Sequence, residues 1–323
     1  MNRDAYHTLQ SFGMDDAQLH ALPSISNRIW RVHCDQGIFV LRIAAATHTT
    51  ADRLNCEFAW LQAIHEETEL VAPIPQATLR GESFCLTKSS HFASLFRWIP
   101  GQTLDQNDMD CETLQEIGTF VARLHEHAAQ FQPRPPWKPA SMLADHLFSA
   151  QSLYHSVDIA LERVLPEELR SLIAEVGERF RAHLTPLDGD PSACGMIHGD
   201  LVAKNWLRCP TGLALIDFDH SGWGYFWYDL AALCIQFLDE ENFAALQAAL
   251  IDGYASSRPW PANAEHLLEN CIIARYAASC LWLARESVQP QFAGKAQAAL
   301  AFRSEQLKRY LVSGQLPRRG VQF

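Results

Sequence analysis

Apolar residues recur at helical spacing through the first part of the chain, at Tyr6, Leu9 and Phe12 and again at Leu19 and Leu22, with Gly13 between the two sets and Pro23 after them. This predicts two short helices. Asn27–Cys34 and Ile38–Ile43 are strand-like runs on either side of Asp35-Gln36-Gly37, which predicts a β-hairpin with a three-residue loop containing glycine. Over residues 51–66 the period returns to that of a helix. Leu54, Phe58, Leu61 and Ile64 share one face, and Glu57 sits among them. Beyond Pro73 and Pro75, strand-like runs at Ser83–Thr87 and Phe92–Ile99 complete the pattern of a small antiparallel sheet with one helix packed on it.

Pro100-Gly101 is strong punctuation, and past it the pattern is mainly helical, over residues 108–130, 141–157, 166–184, 226–238, 241–254, 264–286 and 291–312. Between the third and fourth of these lie short strand-like runs at Gly195–His198, Trp206–Arg208 and Leu213–Ile216, joined by polar loops. The expected class is α+β, with a domain over 1–99 and a larger one over 100–323. Internal repeats and low-complexity tracts are absent from the sequence.

Composition narrows the possibilities. At 323 residues and 48% hydrophobic, the chain can bury a full core, which excludes intrinsic disorder and a small disulfide scaffold. The formal charge of −11 argues against nucleic acid or an anionic membrane surface as partner, because the long-range field repels phosphate. ATP is not excluded, since a metal ion screens its charge locally. Nine cysteines run from Cys34 to Cys280 without a C-x-x-C pair, which suits reduced, mostly buried thiols. The first residues hold no apolar run of the secretory-signal type, and Leu230–Leu238 is too short for a bilayer, which needs about 20 residues. A soluble, cytoplasmic protein with no membrane partner is expected. Monomer and homodimer both stay open.

The polar loops carry the chemistry. They contain His198-Gly199-Asp200, then Asn205, then Asp217-Phe218-Asp219 directly after the apolar run Leu213–Ile216. A carboxylate can accept a hydroxyl proton, and a carboxamide oxygen can ligate a hard cation. Asp217 at the end of a buried strand is a rigid mount for a second ligand. Mg²⁺ favours one or two carboxylates together with substrate phosphates and water. A lone Asp or Asn in a loop is ordinarily a turn or cap residue. Their combination at this spacing points instead to a phosphate–metal site.

Ile197–Leu207, followed by Leu215–Asp219 and Trp227–Ala231, resembles the aminoglycoside phosphotransferase, choline kinase and homoserine kinase type II superfamily, relatives of the protein kinases. Asn27–Ile43 is similar to its first hairpin, Trp98–Gly101 to its hinge, and Ile117–His125 to the first helix of its large lobe. Residues 217–231 look closest to the bacterial homoserine kinase and stress-response kinase branch. The resemblance implies a bilobal protein-kinase-like fold, with a small antiparallel-sheet N-lobe, a mainly helical C-lobe and the kinase cleft between them. It also implies ATP and Mg²⁺ as cofactors, Asp200 as catalytic base, and Asn205 and Asp217 as ligands that hold Mg²⁺ against the ATP phosphates. His198 and Asp229 would brace the catalytic loop. Asp219 would either assist the metal shell or cap the turn before Gly222.

Two departures from the family pattern concern phosphate binding. Before the first hairpin the family usually has glycine; here Pro23-Ser24-Ile25-Ser26-Asn27 stands instead, so Ser24 and Ser26 are candidate phosphate contacts. Where protein kinases place a phosphate-binding lysine, Phe39–Ile43 supplies Arg42, which can pair bidentately with phosphate. Glu57 is its expected partner, because an unpaired charge among apolar neighbours would be costly.

The leading functional expectation is an ATP- and Mg²⁺-dependent kinase acting on a hydroxyl of a small molecule: an amino alcohol, a homoserine-like or an aminoglycoside-like acceptor. A bacterial protein Ser/Thr kinase is the second reading, disfavoured because the stretch from Asp217 to Asp229 leaves little room for an activation loop. A nucleotide-binding protein without catalysis is the third. For the acceptor, Arg275, Ser279, Trp282 and Glu286 form a mixed polar stripe on a predicted apolar helix, and Trp223 belongs to an aromatic cluster with Tyr225, Phe226, Trp227 and Tyr228. These are candidate acceptor-recognition residues. His125-Glu126-His127 is expected to be a solvated helix end rather than a metal pair, since helix residues two apart point away from each other.

Overall fold

Only the first of the two expected N-terminal helices forms. In the computed structural model, which describes residues 2–24, 27–44, 49–149, 152–154, 164–287, 292 and 294–317, helix α1 (Asn2–Gln10) is followed by strand β1 (Gln18–Leu22). β1 pairs antiparallel with β2 (Arg28–Cys34), Gln18 opposite His33 and Leu22 opposite Ile29. The helical reading of Leu19 and Leu22 rested on two residues, whereas Ala17 and Leu19 meet the core together at the period of a strand. β2 and β3 (Gly37–Ala44) form the expected hairpin, but Cys34 pairs with Gly37, so the loop is the two residues Asp35 and Gln36.

Helix α2 (Ala51–Glu67) follows, capped by the Thr50 hydroxyl, which accepts from the Arg53 N–H. Short strands β4 (Pro75–Gln76) and β5 (Cys85–Leu86) both pair with one edge of β6 (Phe92–Arg97), and β3 takes the other edge. The sheet order is β1-β2-β3-β6-β4 with β5 beside β6. One face carries Trp30, Val32, Phe39, Leu41, Ile43, Ala93 and Leu95 against Ala5 and Leu9 of α1. Arg42, one residue out of phase with Leu41 and Ile43, faces the other side.

The chain divides into two compact units. The first holds residues 1–102, 131–139 and 207–219, and the second 103–130, 140–206 and 220–323. Strand β7 (Gln102–Thr103) stands where the chain first changes unit. In the second unit, α3 (Cys111–Gln130) lies against α7, Phe243–Ala255, at a distance only glycine permits. A Cβ on Gly253 would stand 2.0 Å from the Gln115 carbonyl oxygen.

Strand β8 (Ala140–Ser141) and helix α4 (Ala144–Leu147) come next. Within the helix expected over 141–157, only α4 is helical among the described residues. Helix α5 (Glu167–Leu184) leads to β9 (Cys194–Ile197). β10 (Trp206–Cys209) and β11 (Gly212–Leu215) form a hairpin, and Ala214 bridges to Val71 within the first unit. β12 (Gly222–Tyr225), which the sequence pattern did not predict, runs parallel to β8 and antiparallel to β9.

Helices α6 (Phe226–Cys234), α7, α8 (Ala264–Glu286) and α9 (Ala296–Ser313) complete the second unit. α8 is long and apolar enough by composition to cross a bilayer, yet 72% of its most apolar window is buried inside the protein. Its Ile273, Tyr276, Cys280 and Leu283 pack with Leu169 and Ile173 of α5 and Leu300 and Leu307 of α9. All nine cysteines are free thiols.

Candidate active site

In the second unit the polar loop after β9 is held from beneath. Asp229, fully buried in the first turn of α6, accepts the His198 N–H at 2.8 Å and the Gly199 N–H at 2.6 Å. Gly199 has φ +80°, and a Cβ there would stand 2.5 Å from the His220 carbonyl oxygen. The position admits only glycine. The His198 Nδ1 accepts the Asp200 N–H at 3.2 Å, which fixes the direction in which residue 200 leaves the loop. A further buried side chain completes this base: His125 donates from Nε2 to Asp229 at 3.2 Å, and its Nδ1 meets the Tyr254 hydroxyl at 3.1 Å. His125 is thus a core residue of α3 and not the solvated helix end expected from the sequence.

Asp200 is partly exposed and has two side-chain partners. Asn205 Nδ2 lies 2.8 Å from the Asp200 carbonyl oxygen and 3.4 Å from its Oδ2. Two acceptors on one side require the amide nitrogen there, so the Asn205 carbonyl oxygen faces away from Asp200 and is a hard ligand for a cation or a phosphate-bound metal. Arg275, at mid-length of α8, donates from Nη2 to Asp200 Oδ1 at 2.6 Å. Its Nη1 bonds the Tyr154 hydroxyl. Burial alone would raise the Asp200 pKa, but Arg275 above all, with His220 and Lys204, holds it below the ordinary carboxylate value. Asp200 is therefore ionised at neutral pH.

The first unit carries a separate polar group. Arg42 on β3 and Glu57 on α2 form a bidentate ion pair, 2.8 and 2.6 Å, with both side chains buried. Burial opposes the Arg42 charge, and Glu57, with Asp219 and Asp217 behind it, more than offsets this, so the pKa is raised. Asp217 follows β11 with φ +67°, a left-handed conformation that is strained for a residue with a side chain and that recurs at functional sites. Asp219 accepts from Asn27 Nδ2 at 2.8 Å, and its carbonyl oxygen accepts from Arg53 at 2.9 Å. Ser24 is exposed; Ser26 lies outside the described residues.

The structure thus brings Asp200, Asn205, His198, Asp229 and Arg275 together in one unit, and Arg42, Glu57, Asp217 and Asp219 within the other. Along α8 the expected stripe separates. Ser279 accepts from Arg303, Trp282 meets the Phe292 ring edge-on, and Glu286 pairs with Arg285. Trp223 is half-buried on β12, while Tyr225, Phe226, Trp227 and Tyr228 are core residues. Sequence reasoning missed His125, Tyr154, Asn27 and Arg53. Only His125 carried a signal, an apolar face of α3 on which it lies in phase with Ile117, Val121 and Leu124.

Among the described residues no three His, Cys, Asp or Glu side chains converge as a metal cage. Asn205 in one unit and Asp217 in the other each offer an oxygen donor of the type a hard cation takes.

An antiparallel sheet with an Arg–Glu pair, and a helical unit whose braced loop carries an ionised aspartate, define a kinase-like protein. The chain matches the phosphotransferase enzyme family over residues 18–266 and belongs to it. Amicoumacin kinase of Bacillus subtilis (strain 168) is 20% identical over 227 residues, which make up 69% of this chain and 64% of that relative's length. Among solved structures, a microcompartment-associated aminopropanol kinase is similar with a TM-score of 0.79 at 21% identity, over 98% of this chain and 99% of that one. An amicoumacin kinase in complex with AMP-PNP, Ca²⁺ and Ami gives 0.76 at 16% identity, over 90% and 88%. A choline kinase from Cryptosporidium parvum Iowa II gives 0.64 at 15%, over 93% and 92%. At these identities the likeness is one of fold.

Proposed function

We propose that this protein transfers the γ-phosphoryl group of ATP to a hydroxyl of a small molecule, an amino alcohol, a homoserine-like or an aminoglycoside-like acceptor. The observation that carries the reading is Asp200. It is an ionised carboxylate on a loop whose preceding backbone N–H groups are fixed by buried Asp229, and it is partly open to solvent. Such a carboxylate orients an acceptor O–H. As the acceptor oxygen bonds to the γ-phosphorus and the bridging bond to ADP breaks, the hydroxyl proton passes to Asp200. With its pKa held low, Asp200 is a weak proton sink in the ground state, so its work is alignment, and the proton moves late. This suits a loose phosphoryl-transfer transition state.

Asn205 and Asp217 are the side chains we assign to Mg²⁺, which when bound neutralises phosphate charge. Arg42, fixed by Glu57, is assigned to the phosphates, with Ser24 and Ser26 as further contacts. The nine free thiols favour a reducing compartment, and we place the protein in the cytoplasm.

The test is ATP turnover with Mg²⁺ over a panel of hydroxyl acceptors, for wild type and Asp200→Asn. The expected result is acceptor-dependent ADP release that falls at least about a thousandfold in the variant while the ATP Kd changes little. ATP binding without transfer to any acceptor or to water would leave a nucleotide-binding protein without catalysis.

A further inference from the structure

Among the described residues Arg275 is the one cation hydrogen-bonded to Asp200, and its surroundings are unusual for a residue in an apolar helix. Its side chain is 12% exposed and that of Asp200 19%, so both are reachable by a small molecule and neither is freely solvated. The guanidinium lies 5.1 Å from the Tyr154 ring centre and 6.0 Å from that of Tyr228. Its bonds to Asp200 and to the Tyr154 hydroxyl use two of its five N–H groups. The fully buried Tyr228 hydroxyl lies beside the Tyr154 hydroxyl and Arg275, which act on it by charge and by side-chain hydrogen bonding. The guanidinium N–H groups beyond these bonds suit an anion, which they can hold in a fork.

The charges around Asp200 point the same way. Its permanently charged cationic neighbours are Arg275 and Lys204. The other carboxylate beneath the loop, Asp229, is committed to two backbone N–H groups and His125. On the same helix Glu286 pairs with Arg285. A cationic acceptor would set a second positive charge beside this largely buried guanidinium, which is unfavourable. A neutral hydroxyl reaches the second oxygen of Asp200 without displacing Arg275. A carboxylate on the acceptor offers Arg275 a fork-shaped partner beside Asp200.

We propose that Arg275 is a specificity-determining residue that seats a carboxylate of the acceptor, so that the acceptor class is the hydroxy acids, and that without acceptor Arg275 rests on Asp200. This rests on the phosphotransfer reading for its consequence, not for the binding itself. An acceptor carboxylate then does two things at once. It anchors the substrate through Arg275, and it frees the Asp200 oxygen that Arg275 otherwise holds.

The experiment pairs equilibrium binding with turnover on the full chain, using 4-hydroxybutyrate, L-serine and L-homoserine against 1,4-butanediol, ethanolamine and 3-amino-1-propanol. Binding is measured calorimetrically with a non-hydrolysable ATP analogue and Mg²⁺ present, for wild type, Arg275→Lys and Arg275→Met, with melting curves reporting the folded state of each. The expected result is at least a tenfold preference for a carboxylate-bearing member, partly kept in Arg275→Lys and lost in Arg275→Met. Tighter binding or faster phosphorylation of the amines or the diol overturns the proposal and leaves phosphotransfer standing. So does a preference that Arg275→Met does not change, or failure of all three carboxylates to bind. Arg275-dependent carboxylate binding with no phosphate transferred to any compound supports the proposal and counts against phosphotransfer.

Discussion

His125 of α3 and Asp229 of α6 meet at 3.2 Å with neither side chain exposed to solvent, 104 residues apart in sequence. The contact joins two helices, but its consequence lies in the loop above. Asp229 spends its remaining acceptor capacity on the N–H groups of His198 and Gly199, the two residues before Asp200. A buried carboxylate with three donors is a rigid foundation, and removing any one donor leaves the others to reorganise. Asp229→Ala is expected to leave two buried N–H groups without acceptors and to cost about 3–5 kcal/mol in chemical unfolding, the range for breaking a buried charged network. Activity should fall further than the loss of folded protein explains, because residue 200 loses its fixed direction.

The same contact sets a pH dependence. Burial lowers the His125 pKa from 6.5; Asp229 opposes this only in part, and Arg258 adds to the lowering. The imidazole is therefore neutral in the folded protein. As pH falls through about 6.5 the unfolded chain binds a proton at this residue before the folded one does. The contribution is complete above pH 6.5 and is lost as pH falls toward the folded value. His125→Gln keeps a donor for Asp229 without a titrating group. Its unfolding free energy should decline less steeply than that of wild type between pH 6.5 and 5, by up to about 1.4 kcal/mol per pH unit. Parallel slopes for the two proteins would refute the assignment.

The Arg42–Glu57 pair makes a different prediction, because here two charges are buried together. Arg42→Met or Glu57→Leu alone strands its partner and is expected to cost about 3–5 kcal/mol. The double variant Arg42→Met/Glu57→Leu should recover most of that loss, since a pair of apolar side chains of similar volume is often neutral where an ion pair was. A double-mutant cycle from urea unfolding measures the coupling. ATP affinity supplies the contrasting readout. If Arg42 serves phosphate, the double variant regains stability and stays at least tenfold weaker for ATP.

Much of this was legible in the sequence, for reasons that differ by element. The β2–β3 hairpin and helices α2 and α5 announced themselves because each buries an apolar face at its own period, and α8 because it is apolar on nearly every side. β1 did not, since its strand character comes from the ladder with β2 and from a single core-packed residue, Leu19, with Ala17 just before the strand. β12 was hidden for a similar reason: Gly222-Trp223-Gly224-Tyr225 has no alternation to read, and its pairing with β8 and β9 is fixed by tertiary contacts. At the site, Asp200, Asn205 and Asp217 stood out by spacing. His125 and Tyr154 reach their partners across 104 and 121 residues, and no local pattern encodes such distances. Arg275 was visible as a polar interruption of α8, but its pairing with Asp200 and the scattering of Trp282 and Glu286 to other partners emerged only from packing.

Close helix packing supplies a prediction away from the site. Gly253 of α7 lets α3 approach until the Gln115 carbonyl oxygen occupies the place of a side chain. Gly253→Ala forces a methyl group to 2.0 Å from that oxygen, and the neighbour is backbone that cannot swing aside. Overpacking of this kind costs about 1–3 kcal/mol and occasionally more. The urea midpoint should fall accordingly, whereas Gly189→Ala, where no atom lies within 4 Å of the new Cβ but φ is +79°, reports backbone strain alone and should cost about 1–2 kcal/mol. A larger loss at Gly189 than at Gly253 would contradict the packing argument.

The last prediction concerns the two side chains assigned to the metal. Asn205 presents its carbonyl oxygen because both hydrogens of its amide are engaged by Asp200. Asn205→Asp removes those hydrogens and sets a second carboxylate against the first. Like charges at that separation repel, so the loop should shift and the Asp200 pKa should rise. Asn205→Ala removes the ligand without adding charge. Asp217→Asn keeps the left-handed backbone accessible, since Asn tolerates that region as well as Asp does, and removes only the negative charge. If both residues ligate Mg²⁺, Asn205→Ala and Asp217→Asn should each raise the Mg²⁺ concentration for half-maximal ATP binding by tenfold or more, while binding of ATP without metal changes little. Titrating Mg²⁺ at fixed ATP by calorimetry separates this from a general loss of nucleotide affinity, because a structural defect would weaken ATP equally with and without the ion.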